Sequence, residues 1–239
     1  MKKFNLFILF VLLGYATQLV AIQTQPLPVL YYPLGAKSNA MGNTYSSLGL
    51  DIFSTVLNPA VVGLLNRKEV GVTTSLLYEN TVLGSVGYLH PTLEQGNFVF
   101  NILYLGSFGA KETDEYNIYT GKEFSYNNII TSFGWGRELL LKKLYIGGGV
   151  KFCYENLYNY TRGFITTTTG VVYKINHAIW FASNLNNLIS LAIGDTEDRL
   201  PIGINFGCGL KPFEKLSFGI DIGRDNNDSN NILNNTRLV

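Results

Sequence analysis

Two alternating runs near the C-terminal end, Pro201–Lys211 and Lys215–Gly223, constrain the fold of this chain most strongly. In each run every second residue is apolar, and the residues between are mostly small or polar. Successive side chains of a strand point to opposite faces, so the runs predict two strands joined by a hairpin. An apolar face opposite a face of Gly, Ser and Asn is typical of a barrel whose outside meets lipid and whose inside lines a lumen.

The same alternation predicts nine strands in all. We place them at 68–79, 81–90, 96–107, 124–137, 143–157, 162–175, 177–187, 201–211 and 215–224, with longer polar loops at 109–122 and 193–200. Many are about ten residues long, the length of a tilted membrane strand and more than the roughly five or six usual in a sandwich. We therefore predict an all-β, antiparallel transmembrane β-barrel over residues 67–225, with a soluble β-sandwich as the alternative.

Composition agrees with a membrane barrel. Charged residues make up 15% of the chain, below the ~25% of ordinary soluble domains, while aromatics reach 13%. Aromatic girdles at the membrane interfaces explain such a bias. The net charge of +1 gives no field that would attract nucleic acid, so we expect no nucleic-acid partner.

The first residues predict export. Met1–Lys3 is basic, Phe4–Tyr15 is apolar, and small residues follow as far as Ala21. This pattern indicates a signal peptide over residues 1–21, because the apolar core is shorter than the ~20 residues of a membrane-spanning helix. We expect the mature chain in the outer membrane, and any span must then be made by strands.

Residues 22–66 differ from the strands that follow and are expected to form a plug or hatch. We expect a short strand or extended piece over 36–50, then helical turns, with Pro59 at the first position of a short helix. Small residues such as Ala40 should let the backbone pass close to the barrel wall, and Asp51 and Asn58 should serve as polar anchors near a helix start. The candidate gate residues are Gly35, Ala36, Met41, Gly42, Asp51, Asn58 and Pro59. A moving gate and a plug that only stabilises the barrel both remain open, and the tail 226–239 is expected to be disordered.

No pattern in the chain indicates an enzyme, a cofactor or a metal. His90 and His177 have no nucleophile or carboxylate at a useful spacing, and Gly147–Gly149 lies within a strand rather than before a helix. By alternation Cys153 faces the lumen and Cys208 the lipid, so we expect no disulfide between them.

One stretch resembles a known family. Gly35–Tyr45, followed by Asp51 and then Leu57–Ala60, resembles the N-terminal signature of PorV/PorQ-type outer-membrane proteins. Further elements of the family occur in the expected order towards the C-terminal end, and the resemblance covers residues 35–223. These elements are Asn184–Asn187, Leu200–Pro201, Gly209–Pro212 and Leu216–Asp221.

The family looks like a branch of the FadL-type barrels and includes uncharacterised spirochaetal paralogues. The resemblance implies about fourteen strands, a lumen partly closed by the N-terminal segment, and passage of hydrophobic small molecules across the outer membrane. A PorV-like, non-enzymatic scaffold for exported proteins is the alternative. Nine clear strands, or ten with 36–50, are fewer than the family has. The chain therefore looks C-terminally truncated, and both the closure of its barrel and a non-functional paralogue are left open.

Overall fold

A computed structural model describes residues 27–32, 34–44, 46–78, 80–92, 94–140, 143–194, 200–213, 216–226 and 236–238. The predicted signal peptide over residues 1–21 lies outside the described residues, and so do residues 227–235 of the predicted tail. Within the described ranges, no helix has the length and apolar character to cross a membrane.

The protein is an all-β structure built on one antiparallel sheet. Within the described residues, ten strands follow one another in chain order, and each pairs with the next. Their bounds are β1 Glu69–Leu76, β2 Thr81–His90, β3 Asn97–Thr113, β4 Tyr119–Leu140, β5 Leu144–Leu157, β6 Tyr160–Lys174, β7 Ile179–Ile193, β8 Ile202–Phe213, β9 Leu216–Asn226 and β10 Thr236–Leu238. Of the described residues, those of β1 pair with β2 alone, so the sheet is open between β1 and β10.

The nine predicted strands are confirmed, but the predicted loop at 109–122 is wrong. The predicted loop 109–122 is a continuation of β3 and β4, because Lys111 pairs with Glu123 and Thr113 with Tyr119. The side chain of Asp114 closes the tip by accepting from the backbone N–H groups of Tyr116 and Ile118, at 2.9 and 2.8 Å.

The tail prediction also needs correction, because β9 runs on through Asn226 and Thr236–Leu238 forms β10. The three residues of β10 pair with the last part of β9, from Ile222 to Arg224. Sheet hydrogen bonds therefore include Asp225, Asn226 and Thr236–Leu238, although these residues show no alternation in the sequence.

The two faces of the sheet differ as the alternation predicts. Along β5, Lys151, Cys153 and Glu155 are buried on one side, which we call the inner face, whereas Phe152 and Tyr154 are about half exposed on the other, the outer face. Both cysteines are free, and Cys208 lies on the outer face of β8. The outer face carries an apolar surface from β1 to β9. It includes Val70, Val72, Val86, Phe100, Ile102, Phe133, Phe152, Phe181, Phe206, Phe218, Ile220 and Ile222.

Residues 27–65, which we call the inner segment, cover the inner face. They form 3-10 helices at Pro28–Tyr31, Ser54–Val56 and Pro59–Leu64 and an α-helix at Gly35–Ala40. The helical turns are as predicted, but the strand expected over 36–50 is wrong. Short-range backbone bonds form there instead, such as Met41 N–H to the Lys37 carbonyl at 3.1 Å, so this stretch satisfies its own polar groups without a neighbouring strand.

The sheet is strongly curved around the inner segment. Ile52 touches Gly71 on β1, and the Ser46 N–H donates to Asp221 on β9. Six residues of chain span at most about 20 Å, whereas eight strand spacings in a flat sheet would separate β1 from β9 by about 38 Å. Even with the side-chain lengths added, only a sheet that curls back on itself brings both strands to the same short stretch of chain.

Candidate functional site

The tightest contact between the inner segment and the sheet lies at the 3-10 helix Pro59–Leu64. We call Gly136, Gly147 and Gly170, on the inner face of β4, β5 and β6, the glycine surface. A Cβ built on Gly147 would lie 2.3 Å from the carbonyl carbon and oxygen of Pro59, and one on Gly136 would lie 2.7 Å from the same oxygen. Because these glycines lack side chains, the helix backbone rests directly on the backbone of the sheet.

Asn58 fixes the start of this helix. Its Oδ1 accepts from the Ala60 N–H at 3.1 Å as a helix N-cap, and its Nδ2 donates to the Ser46 carbonyl at 3.0 Å. The side chain is completely buried, and a Cβ on Gly170 would lie 2.0 Å from its Oδ1. Asn97 on β3 holds the other end of the helix, because its Nδ2 donates to the carbonyls of Val62 and Leu65.

A second group of inner-face glycines contacts residues 44–48. A Cβ on Gly209 would lie 2.5 Å from the Leu48 side chain, and one on Gly207 would lie 2.2 Å from Ser46 Oγ. The Ser46 N–H donates to Asp221 Oδ2 at 2.9 Å. The small-residue face of the two C-terminal runs therefore does not line an empty lumen at these positions, since the inner segment occupies the space.

The predicted gate residues divide into two groups. Asn58 and Pro59 are buried against the wall, whereas Ala36 and Gly42 are exposed and Met41 is half-buried. No atom lies within 4 Å of a Cβ built on Gly42, and its φ of +60° shows that this glycine serves a left-handed turn. The expectation that small residues of the segment allow close approach is therefore wrong at Ala36, Ala40 and Gly42. The glycines that allow it lie on the sheet.

Gly35 and Asp51 have local roles. Gly35 begins the α-helix with φ of +84°, and a Cβ there would meet the Phe53 ring at 3.4 Å. Asp51 Oδ1 accepts from the N–H groups of Phe53 and Ser54, at 3.1 and 3.0 Å, and so satisfies the start of the 3-10 helix Ser54–Val56. Asp51 and Asn58 therefore each hold the start of a 3-10 helix within the inner segment.

An apolar cluster closes the interior between the inner segment and β3–β6. Leu27, Val29, Leu34 and Val56 of the segment pack against one transverse row of inner-face side chains. The row consists of Leu103, Ile130, Cys153 and Phe164, which are opposite one another in the strand register. All of these side chains are at most 5% exposed, so the apolar cluster fills the space between the inner segment and β3–β6 at this level.

A cleft of about 430 Å³ opens at one end of the sheet. We call this the hairpin end, because the β3–β4 hairpin projects there, and we call the other end, with the β4–β5, β6–β7 and β8–β9 connections, the turn end. The cleft is lined by Glu112, Phe124, Leu157, Tyr158, Asn159 and Tyr160. Phe124 and Tyr158 meet edge to face with ring centres 6.0 Å apart, so the lining is largely aromatic and apolar.

A buried ion pair lies directly below the cleft. Glu155 faces Arg162 across β5 and β6, one inner-face step from the Leu157–Tyr160 pair that lines the cleft. Arg162 Nε and the Tyr126 hydroxyl both donate to the Glu155 carboxylate, which is 4% exposed as a residue. The guanidinium also lies over the rings of Tyr160 and Phe164. This pair was not predicted from the sequence, although the two-residue turn at Tyr158–Asn159 would have set its register.

The other groups considered from the sequence do not converge. His90 is exposed and exchanges a hydrogen bond with Tyr88 at 2.9 Å, and His177 lies exposed in the β6–β7 turn. In the part of the chain that the structure describes, no three His, Cys, Asp or Glu side chains lie together as a metal site requires.

Comparison with protein-family models matches no family, and comparison with curated proteins finds no relative of this chain. The resemblance to the PorV/PorQ family therefore stays a prediction from the sequence.

Proposed function

We propose that this chain is an outer-membrane β-barrel protein, similar to FadL-type transporters, that passes hydrophobic small molecules across the outer membrane. The observation that carries the proposal is the apolar outer face. Phe152, Phe206 and Ile220 are each more than half exposed on three different strands. A soluble protein rarely exposes so large a continuous apolar surface, whereas lipid would cover it.

Closure of the barrel fits the same proposal. Consecutive strands alternate in direction, so β1 and β10 are antiparallel and could pair. An even number of strands is usual in bacterial barrels, and a closed sheet leaves no unpaired backbone groups in lipid. The curvature that brings β1 and β9 to the inner segment brings the two edges of the sheet towards each other. The outer membrane would be reached by export through the predicted signal peptide.

The route that we propose begins at the cleft of the hairpin end. Its aromatic lining offers an apolar small molecule a site outside the barrel interior. Below it the Glu155–Arg162 pair and then the apolar cluster block the way. Passage therefore requires the inner segment to move away from the row of Leu103, Ile130 and Phe164, and residues 27–56 would then act as the gate.

A disulfide between the inner segment and β9 tests the gate. A Cβ on Gly219 would lie 3.3 Å from Thr44 Cγ2, which suits a bridge in a Thr44→Cys/Gly219→Cys variant lacking Cys153 and Cys208. Uptake of a hydrophobic fluorescent dye by cells expressing the chain should fall when this variant is oxidised and recover when it is reduced. Single-cysteine variants are the control. Equal uptake by oxidised and reduced protein, or by cells without the protein, would contradict the transport proposal.

A PorV-like scaffold for exported proteins is the second candidate. It is favoured by the direct backbone contact of Pro59 with Gly136 and Gly147, because such a fit suits a permanent plug better than a moving one. Co-purification separates the two candidates. A scaffold should retain exported polypeptides and should still bind them when the Thr44→Cys/Gly219→Cys variant is oxidised. A transporter should retain apolar small molecules and should lose dye uptake in the oxidised variant.

A further inference from the structure

Two lysines hold their charges over one buried tryptophan at the turn end. Trp180 is 6% exposed, and its Nε1 donates to the His177 carbonyl at 3.2 Å. Lys174 Nζ lies 4.0 Å and Lys211 Nζ 4.2 Å from the centre of the ring that Trp180 presents. The two ammonium nitrogens therefore lie no farther apart than the sum of these two distances.

The backbone register fixes this arrangement. Lys174 is directly opposite Trp180 in the β6–β7 pair, and Trp180 is opposite Gly209 in the β7–β8 pair. The Lys211 N–H donates to the Ala178 carbonyl at 2.7 Å, which places Lys211 beside the β6–β7 turn. Because Gly209 has no side chain, the indole ring and the Lys211 stem can occupy the same side of β8.

One further cation and one acid act on the two lysines. Lys37 of the inner segment adds a third positive charge that acts on Lys211. Glu138 is the acid that acts on Lys174, and it also bonds the Tyr145 hydroxyl. Among the described residues, neither Lys174 nor Lys211 has a carboxylate within the 4.0 Å of an ion pair. Lysines held together in this way repel one another, and an anion between them would remove that repulsion.

We propose that Lys174 and Lys211, positioned on the ring of Trp180, bind a phosphate group at the turn end. A phosphate carries about −1.5 to −2 charges at neutral pH, and its several oxygens can accept hydrogen bonds from more than one ammonium group. Lysine binds phosphate as a point charge, and the indole face stabilises the cations while it excludes water from one side. The phosphate could belong to a small free molecule or to a phospholipid headgroup.

The fluorescence of Trp180 can report the binding directly. The chain has two tryptophans, so Trp135→Phe leaves Trp180 as the only source of indole emission. This variant in an uncharged sugar detergent would be titrated with inorganic phosphate, with chloride at equal ionic strength, and with a short-chain phosphatidic acid. We expect a saturable change in Trp180 emission with at least one phosphate probe and no such change with chloride. Saturation by inorganic phosphate would indicate a free ligand, and saturation by the lipid alone a headgroup.

Matched variants decide whether the two lysines are responsible. Lys174→Met/Lys211→Met keeps the aliphatic stems and should weaken the apparent affinity at least tenfold, whereas Lys122→Met at the hairpin end should leave it unchanged. Lys174→Arg/Lys211→Arg keeps both charges and should retain binding, which covers the case in which the Met variant does not fold. Equal affinity in the Met variant, loss of binding in a folded Arg variant, or no saturable response to either phosphate probe would overturn the proposal.

Discussion

Adding one methyl group at Gly147 should destabilise the protein strongly, while the same change at Gly148 should not. The two glycines are neighbours on β5 but lie on opposite faces. A Cβ at Gly147 would meet the Pro59 carbonyl at 2.3 Å, whereas the nearest atom to a Cβ at Gly148 is the Thr168 carbonyl oxygen at 3.9 Å. The methyl group of Gly148→Ala would therefore make an ordinary van der Waals contact, whereas that of Gly147→Ala would overlap with backbone atoms.

The structure also indicates the size of the effect. The Pro59 backbone cannot retreat freely, because Asn58 and Asn97 hold both ends of its helix, and Gly147 is paired with both neighbouring strands, β4 and β6. Overpacking costs about 1–3 kcal/mol, and we expect Gly147→Ala near the upper end of that range. Gly148→Ala should be neutral or stabilising by up to about 1 kcal/mol, because alanine loses less backbone entropy in a strand.

The comparison requires refolding both variants in detergent and following unfolding in urea by tryptophan emission. A difference of about 3 kcal/mol corresponds to a midpoint shift of about 1 M or more. Protease cleavage within residues 27–65 should also become faster in Gly147→Ala if the inner segment leaves the sheet. Equal midpoints for the two variants would refute the direct contact between the inner segment and the glycine surface.

Three further predictions concern buried polar groups and the outer face. Asn58→Ala should lower the free energy of unfolding in urea by about 2–3 kcal/mol, because it removes a helix cap and leaves buried backbone groups unpaired. A loss below about 0.5 kcal/mol would count against these hydrogen bonds. Arg162→Met should lower the free energy of unfolding by about 3–5 kcal/mol in the same assay, because it leaves the Glu155 carboxylate buried and unpaired. Adding Glu155→Gln to that variant should recover much of the loss, because the amide carries no charge; no recovery would contradict this explanation. Phe152→Lys should lower the yield of membrane-inserted protein, at a cost of about 2–4 kcal/mol if the position lies near the bilayer midplane, whereas Tyr116→Lys at the hairpin tip should not; equal yields would argue that lipid does not cover Phe152.

The period-two alternation made the strands predictable, and the same rule assigned the faces. Cys153 and Lys151 are buried and Phe152 is exposed, as alternation requires. The Asn58–Pro59 helix start was also predictable, because an amide cap followed by proline is a local signal. Features that depend on one residue and its immediate neighbours in the chain were therefore accessible from the sequence.

Features that depend on the pairing of distant residues could not be predicted from the sequence. The polar residues of 109–122 suggested a loop, but cross-strand pairs such as Lys111 with Glu123 keep them in a ribbon. The small residues of 36–50 have no period, so nothing local distinguished a helix at Gly35–Ala40 from a strand. The alignment of Gly136, Gly147 and Gly170 on one face, and the helix that covers them, follow only from the strand register and the three-dimensional contacts.

Cell fractionation with a heat-shift gel tests the central claim most directly. Fractions from cells expressing the 239-residue chain would be run with and without boiling, and probed for the protein. We predict protein in the outer-membrane fraction that resists urea extraction and migrates differently when unboiled, as a closed barrel does in detergent. Protein in the soluble fraction, or membrane protein whose mobility is the same with and without boiling, would contradict a closed barrel with a lipid-covered outer face.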